Sequence, residues 1–92
     1  MALTSGAFTT YDIDRSVVMF TMMNDTTPVS CAVSTSAMDG LEKSAGTKSD
    51  QREAQFMRLR EPIETRAAKK FLDSELEGNP PGIILRSIDF RS

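Results

Sequence analysis

The sequence predicts an α+β fold: an antiparallel sheet of about four strands, built as a β-meander, a short helix, a long Pro-kinked helix and a final strand, with the helices packed on one face. Three observations carry this prediction. Strand-like runs crowd the first third of the chain, apolar residues at helical spacing fill most of the rest, and one more strand-like run closes it. The chain of 92 residues has length for one thin core and too little for two. Residues 1–92 are therefore read as a single domain, with residues 1–7 a flexible tail.

The strands come first. Phe8–Ile13 places Phe8, Tyr11 and Ile13 in a short extended run, and Asp14-Arg15 follows as a turn. Val17–Met22 is the clearest strand, with Val18, Phe20 and Met22 on one face. Asn24–Thr27 reads as a loop because Asn and Asp tolerate turn conformations, and Pro28 can begin a strand without sitting in its middle. Val29, Cys31 and Val33 then alternate with Ser30 and Ala32 as a half-buried strand.

Ser34, Thr35 or Ser36 would cap a short helix carrying Ala37, Met38 and Leu41, weakened by Gly40 and ended by Gly46. Asp50 and Glu53 have the spacing of a capping box, and a long helix should run from there to about Leu76. Phe56, Leu59, Ile63 and Ala67 form one buried stripe. Pro62 removes the hydrogen bond to the Arg58 carbonyl and should kink this helix. Beyond it Ala67, Ala68, Phe71, Leu72 and Leu76 point roughly 100° around from the first stripe. Gly78 and the Asn79–Gly82 breaker close the helix. Ile83–Phe90 is the last strand, with Ile84, Arg86, Ile88 and Phe90 on one face and Ile83 and Leu85 on the other.

Chemistry is scarce. The chain has no histidine, which removes the commonest general base and every Ser-His or Cys-His pair. Cys31 is the single cysteine and lies mid-strand on the apolar face, where burial raises a thiol's pKa and does not activate it. It permits no intrachain disulfide, so a cytoplasmic setting is expected. Asp12 and Asp14 make a D-x-D pair, but two carboxylates cannot fill the six oxygen positions a Mg²⁺ or Ca²⁺ ion requires, and a polar turn flank explains them. No phosphate loop is present among five glycines. No catalytic residue, metal ligand or cofactor site is expected. Neither a signal peptide nor a membrane span is written in the sequence. Met19, Met22 and Met23 read as core filling before they read as a Met-rich groove.

The net charge is −2, which argues against a nucleic-acid binder by charge alone. Its distribution is uneven: residues 1–40 set four aspartates against Arg15, whereas the remainder is densely charged and balanced. On the long helix Glu53, Glu61, Glu64 and Glu75 fall on one flank, and Arg58, Arg66 and Lys69 on the other, with Asp73 intruding. The plainest explanation is a solvated face with pairs such as Arg60–Glu64 and Lys69–Asp73 at i,i+4. The basic flank could also meet phosphates. With the apolar line Ala68, Leu72 and Leu76, the residues Arg58, Arg66 and Lys69 form the candidate interaction surface, suited to an antiparallel homodimer. An open edge strand offers a second way to pair.

Val17–Met22, then Pro28–Ser34, then Ala37, Met38 and Leu41 give strand, loop, strand and capped helix; Phe56, Arg60, Ile63, Glu64 and Ala67 give F-x-x-x-R-x-x-I-E-x-x-A. In these residues the chain resembles a small bacterial family, the domain of unknown function numbered 1488, from about Tyr11 to Phe90. The resemblance implies that fold and a bacterial, cytoplasmic setting, and brings no reaction, cofactor or catalytic residue. Arg60 and Glu64, one turn apart at the border of the buried stripe, are expected to be a half-buried ion pair orienting the helix on the sheet. The function is not legible in these motifs. The expectation is a non-enzymatic accessory or protein-binding domain that forms a homodimer, with a nucleic-acid-binding or regulatory module using the basic flank as the alternative.

Overall fold

The computed structural model describes residues 3–43, 47–77 and 82–90. Strands β1 (Thr4–Asp12), β2 (Val17–Asn24) and β3 (Thr27–Ser34) form the expected meander. Helix α1 (Thr35–Glu42), a 3-10 turn (Ser49–Gln51), α2 (Arg52–Arg58) and α3 (Arg60–Leu72) follow, then β4 (Ile83–Leu85) and a second 3-10 turn (Ser87–Phe90). The four strands lie in sequence order, antiparallel except for β4, which runs parallel to β3. The fold is α+β, and the sheet is mixed instead of wholly antiparallel.

Alternation along the strands sets the core. Val18, Phe20 and Met22 pair across to Val33, Cys31 and Val29, and Cys31 and Val33 pair in turn with Ile83 and Leu85. These residues face the helices and form one cluster with Ala37, Met38, Phe56, Ile63 and Ala67. The rings of Phe20 and Phe56 lie 5.0 Å apart, with Phe8 on the far side of Phe56 at 6.0 Å.

Several boundaries move. The expected tail is structured from Leu3 onward: Leu3 is buried in the core and β1 begins at Thr4, while residues 1–2 lie outside the described residues. The sequence hides this start because Thr4, Ser5 and Ala7 are exposed and make no apolar pattern. Ile13 falls in the following turn, 61% exposed. The loop after β2 shrinks to a turn at Asp25-Thr26, with Asp25 in the left-handed region at φ 56°.

Ser34 caps α1, its hydroxyl accepting from the Ala37 amide at 3.1 Å. The helix stops at Lys43 (φ 55°), three residues before Gly46, which lies outside the described residues. The reciprocal cap ahead of α2 falls on Lys48 and Gln51, not on Asp50 and Glu53: the Lys48 amide donates to the Gln51 side chain.

The single kinked helix resolves into two. Pro62 cannot accommodate the carbonyl of Arg58, and the chain leaves helical geometry at Leu59 (φ −100°, ψ 8°), one residue later. Pro62 then sits in the first turn of α3, where its missing N–H is not needed. At the far end Ser74 adopts φ 57°, and the Glu75 amide donates back to the Lys70 carbonyl at 2.9 Å. This closes α3 at Leu72, so Leu76 is off the helix. Gly78 and Asn79–Pro81 lie outside the described residues.

The last strand is three residues long instead of eight. Asp89 is the reason: its carboxylate accepts from the Arg86 amide at 2.7 Å and from the buried Lys70 Nζ at 3.3 Å, which curls Ser87–Phe90 towards α3. The expected shared face of Ile84, Ile88 and Phe90 is lost. Ile88 is 68% exposed, and Phe90 packs against the edge of the core.

Candidate functional site

The six residues of the predicted surface do not converge. Arg58 donates from Nε to Glu42 of α1 at 2.9 Å. Arg66 donates from Nε to the Asp89 carbonyl at 2.7 Å, and Lys69 reaches Asp73 at 3.2 Å. Each cation is therefore tied to an internal acceptor. Ala68 is half-buried against the core, whereas Leu72 is 60% exposed and Leu76 39%. Because α3 ends between them, Leu72 and Leu76 do not form one helical line.

The helices are locked to each other and to the sheet by polar clusters that sequence reasoning passed over. Arg52 donates to Asp39 at 2.8 Å and to Gln55 at 2.7 Å, and Gln55 donates to Asp39 and Glu42. Gln55 is fully buried. Burial of Asp39 opposes its charge, but the hydrogen bonds from Arg52 and Gln55 outweigh that and hold its carboxyl below the ordinary value. Glu42 is likewise held low, chiefly by its bond from Arg58. Lys70, 6% exposed, donates to the Ile84 carbonyl at 2.9 Å and to Asp89, joining α3 to β4. A signal was available: Ile63, Ala67 and Lys70 share one face of a helix, so a cation stood on the apolar stripe.

Arg60 and Glu64 act as their spacing suggests. They pair at 2.9 Å, and both grip β1: Arg60 donates to the Gly6 carbonyl and to Ser5 Oγ, and Ser5 donates to Glu64 at 3.0 Å. The grip falls where β1 is irregular. A Cβ at Gly6 would stand 2.0 Å from the Thr21 carbonyl oxygen, so this close approach requires glycine.

The Cys31 thiol is buried and pushed up to about 12 by loss of solvation, which keeps it a thiol. Asp12 accepts from the Arg15 amide at 3.2 Å, the turn-flank role expected of it. Among the described residues no group of three or more His, Cys, Asp or Glu converges on one point. None of the helices among them is long and apolar enough to cross a membrane. A shallow depression of about 400 Å³ lies between α3 and the final 3-10 turn, lined by Glu61, Pro62, Thr65, Arg66, Lys69, Asp89 and Phe90.

The second face of the sheet is different in kind. Val17, Met19, Thr21 and Met23 of β2 pair with Ser34, Ala32, Ser30 and Pro28 of β3, and Ala32 pairs with Ile84 of β4. None of these residues belongs to the cluster that the other face shares with the helices. The four strands hold a single charged residue, Asp12, in a chain that is 26% charged.

A family model for DUF1488, described as a protein of unknown function, matches residues 5–84. The chain belongs to the DUF1488 family. A solved structure agrees: the chain is similar to a protein of unknown function from the same family from Shewanella loihica PV-4, at 22% identity and a TM-score of 0.73. The match covers 90% of this chain and 94% of that one, and at this identity it speaks for the fold. No curated protein matches the sequence. Of the residues that carried the resemblance, Phe56, Ile63 and Ala67 are buried in the core, and Arg60 and Glu64 form the clamp on β1. The motif is a device for seating the helix on the sheet.

Proposed function

We propose that this DUF1488 domain is a non-enzymatic accessory domain that works by binding protein, and that it binds a second copy of itself. The observation that carries the reading is how the surface is allotted. Arg58, Arg66 and Lys69 are tied to carboxylate or carbonyl partners within the chain, while Ile13, Met57, Leu72, Leu76 and Ile88 are left to solvent. Scattered apolar side chains alone are ordinary on a protein surface; beside them lies a sheet face whose one charged strand residue is Asp12. The lone Cys31, buried as a thiol, suits a reducing cytoplasm. The nucleic-acid alternative loses support because a basic flank neutralised by internal partners releases few counterions on binding.

Sedimentation equilibrium tests this reading. A mass near twice the 10.1 kDa of one chain is expected at micromolar concentration. A monomer at high micromolar concentration refutes self-association. The end of α3 at Ala68 and Leu72, with Leu76 beyond it, is one place for the contact, and Leu72→Glu, which puts a charge at an exposed site, tests it directly. Salt-sensitive binding of a short single-stranded oligonucleotide, lost in Arg58→Ala, would instead restore the nucleic-acid reading.

A further inference from the structure

We infer that the contact between copies is the open face of the sheet, packed face to face on the same face of the partner about a two-fold axis running along the strands between β2 and β3. The inference rests on the self-association proposed above and names its surface. An exposed face of an antiparallel sheet ordinarily alternates polar and charged side chains outward, and a monomer's surface is about a quarter to a third Lys, Arg, Glu and Asp. Here the outward residues of β2, β3 and β4 are Val, Met, Thr, Ser, Pro, Ala and Ile, with no charge among them. Met19, Ala32 and Ile84 make a continuous apolar row across three strands.

Area and charge point to a second copy as the occupant. The strands of nine, eight, eight and three residues, rising ~3.3 Å per residue and spaced ~4.8 Å apart, present roughly 450 Å². Two such faces bury roughly 900 Å², the size of a weak, reversible contact. A partner of opposite charge has nothing to bind on this face, whereas an uncharged face opposes itself without repulsion. The one charge on the strands, Asp12, sits at a corner, at the end of a row that crosses Val17 and Ser34, and Arg86, the residue after β4 and paired with Glu77, lies at the opposite edge. The proposed axis carries the Asp12 corner over to the Arg86 edge, so the two aspartates never meet. The sheet edges offer less: β1 has two register irregularities and β4 has three residues.

The full chain and four variants decide it by sedimentation equilibrium, with far-ultraviolet circular dichroism and melting to confirm folding. Thr21→Lys and Ser30→Lys each place a cation near the axis and should weaken the dimer roughly 100-fold, since opposed like charges cost several kcal/mol. Ser30 is exposed, so Ser30→Lys keeps the test available if Thr21→Lys fails to fold. Leu72→Glu should leave the dimer intact. Mixing Thr21→Lys with Ser30→Glu should restore association, because the axis sets Thr21 of one copy over Ser30 of the other. A wild-type dimer that survives folded Ser30→Lys and is broken by Leu72→Glu overturns the sheet face and leaves self-association standing. A monomeric wild type overturns both.

Discussion

On the covered face of the sheet, Val18, Phe20, Met22, Cys31, Val33, Ile83 and Leu85 are each at most 2% exposed and form one cluster with side chains of the helices. One residue along each strand, Val17, Met19, Thr21, Met23 and Ile84 of the open face are half-buried, and Ala32 among them is 4% exposed. Both faces come from the same strands, and Asp12, at a corner of the open face, is the one charged residue among them. They differ in side-chain size and in what lies opposite. The covered face presents two phenylalanine contacts and a run of branched residues to α2 and α3; the open face presents flat, small or flexible side chains. Packing a helix demands bulk at defined points, whereas meeting another flat surface demands only that nothing charged be trapped.

Truncation on the covered side should have the largest effect. Phe56→Ala removes a ring held between Phe8 and Phe20 and should cost about 3–5 kcal/mol of unfolding free energy, read as a lower urea midpoint at unchanged slope. A loss below about 1 kcal/mol would mean that the helix is not seated by this ring.

The buried pair beneath α3 should break asymmetrically. Asp89→Ala leaves the Lys70 ammonium buried with the Ile84 carbonyl as its remaining acceptor and should cost about 3–5 kcal/mol. Lys70→Met leaves Asp89 still accepting from the Arg86 amide and Arg66, so its cost should be clearly smaller. Equal losses in chemical denaturation would contradict the arrangement.

Acid should loosen the α1–α2 clasp more gently. Asp39 and Glu42 are held below their ordinary values, so the unfolded chain binds more protons than the folded one in acid. The stability they contribute is present above the ordinary carboxylate value, about 4.5 for Glu42, and is lost as pH falls through the lowered native values. The urea midpoint should be flat from neutral pH down to that point and then fall. In Gln55→Leu, which removes a donor to both carboxylates, the fall should be smaller and should end at a higher pH.

The smallest effects on stability belong to the open face. Ser30→Ala and Thr21→Val should each shift the unfolding free energy of the isolated chain by no more than about 0.5 kcal/mol, because neither side chain fills the core. A loss comparable to that of Phe56→Ala would show that this face is covered within one chain and would end the comparison.

Much of this was legible in the residues. Alternation of Val18, Phe20 and Met22 against Val29, Cys31 and Val33 gave the meander, because side-chain direction in a strand has a period of two. The hydroxyls of Ser34, Thr35 and Ser36 gave a capped helix start, which falls on Ser34, and Arg60 with Glu64 gave the clamp. The near absence of charge in the strands was also on view, as an uneven charge distribution, although which face it would leave bare was not. The Leu59 break was readable as a kink and misplaced by three residues: proline acts on the carbonyl four residues back, so the chain bends before it and not at it.

What the sequence by itself determined is whatever depends on near neighbours: the order of strands and helices, the capped start of α1, the interruption of the long helix, and a chain without histidine whose one thiol points inward. The tertiary structure decided what depends on partners far along the chain. Leu3 is core because β1 extends back along β2, at Thr4 opposite Met23. Ile83–Leu85 runs parallel to β3 because α2 and α3 return the chain to the end of the sheet where β3 begins. Ser87–Phe90 is a 3-10 turn and not a strand because the carboxylate of Asp89 is drawn to Lys70, nineteen residues earlier, and no local propensity records so distant a charge.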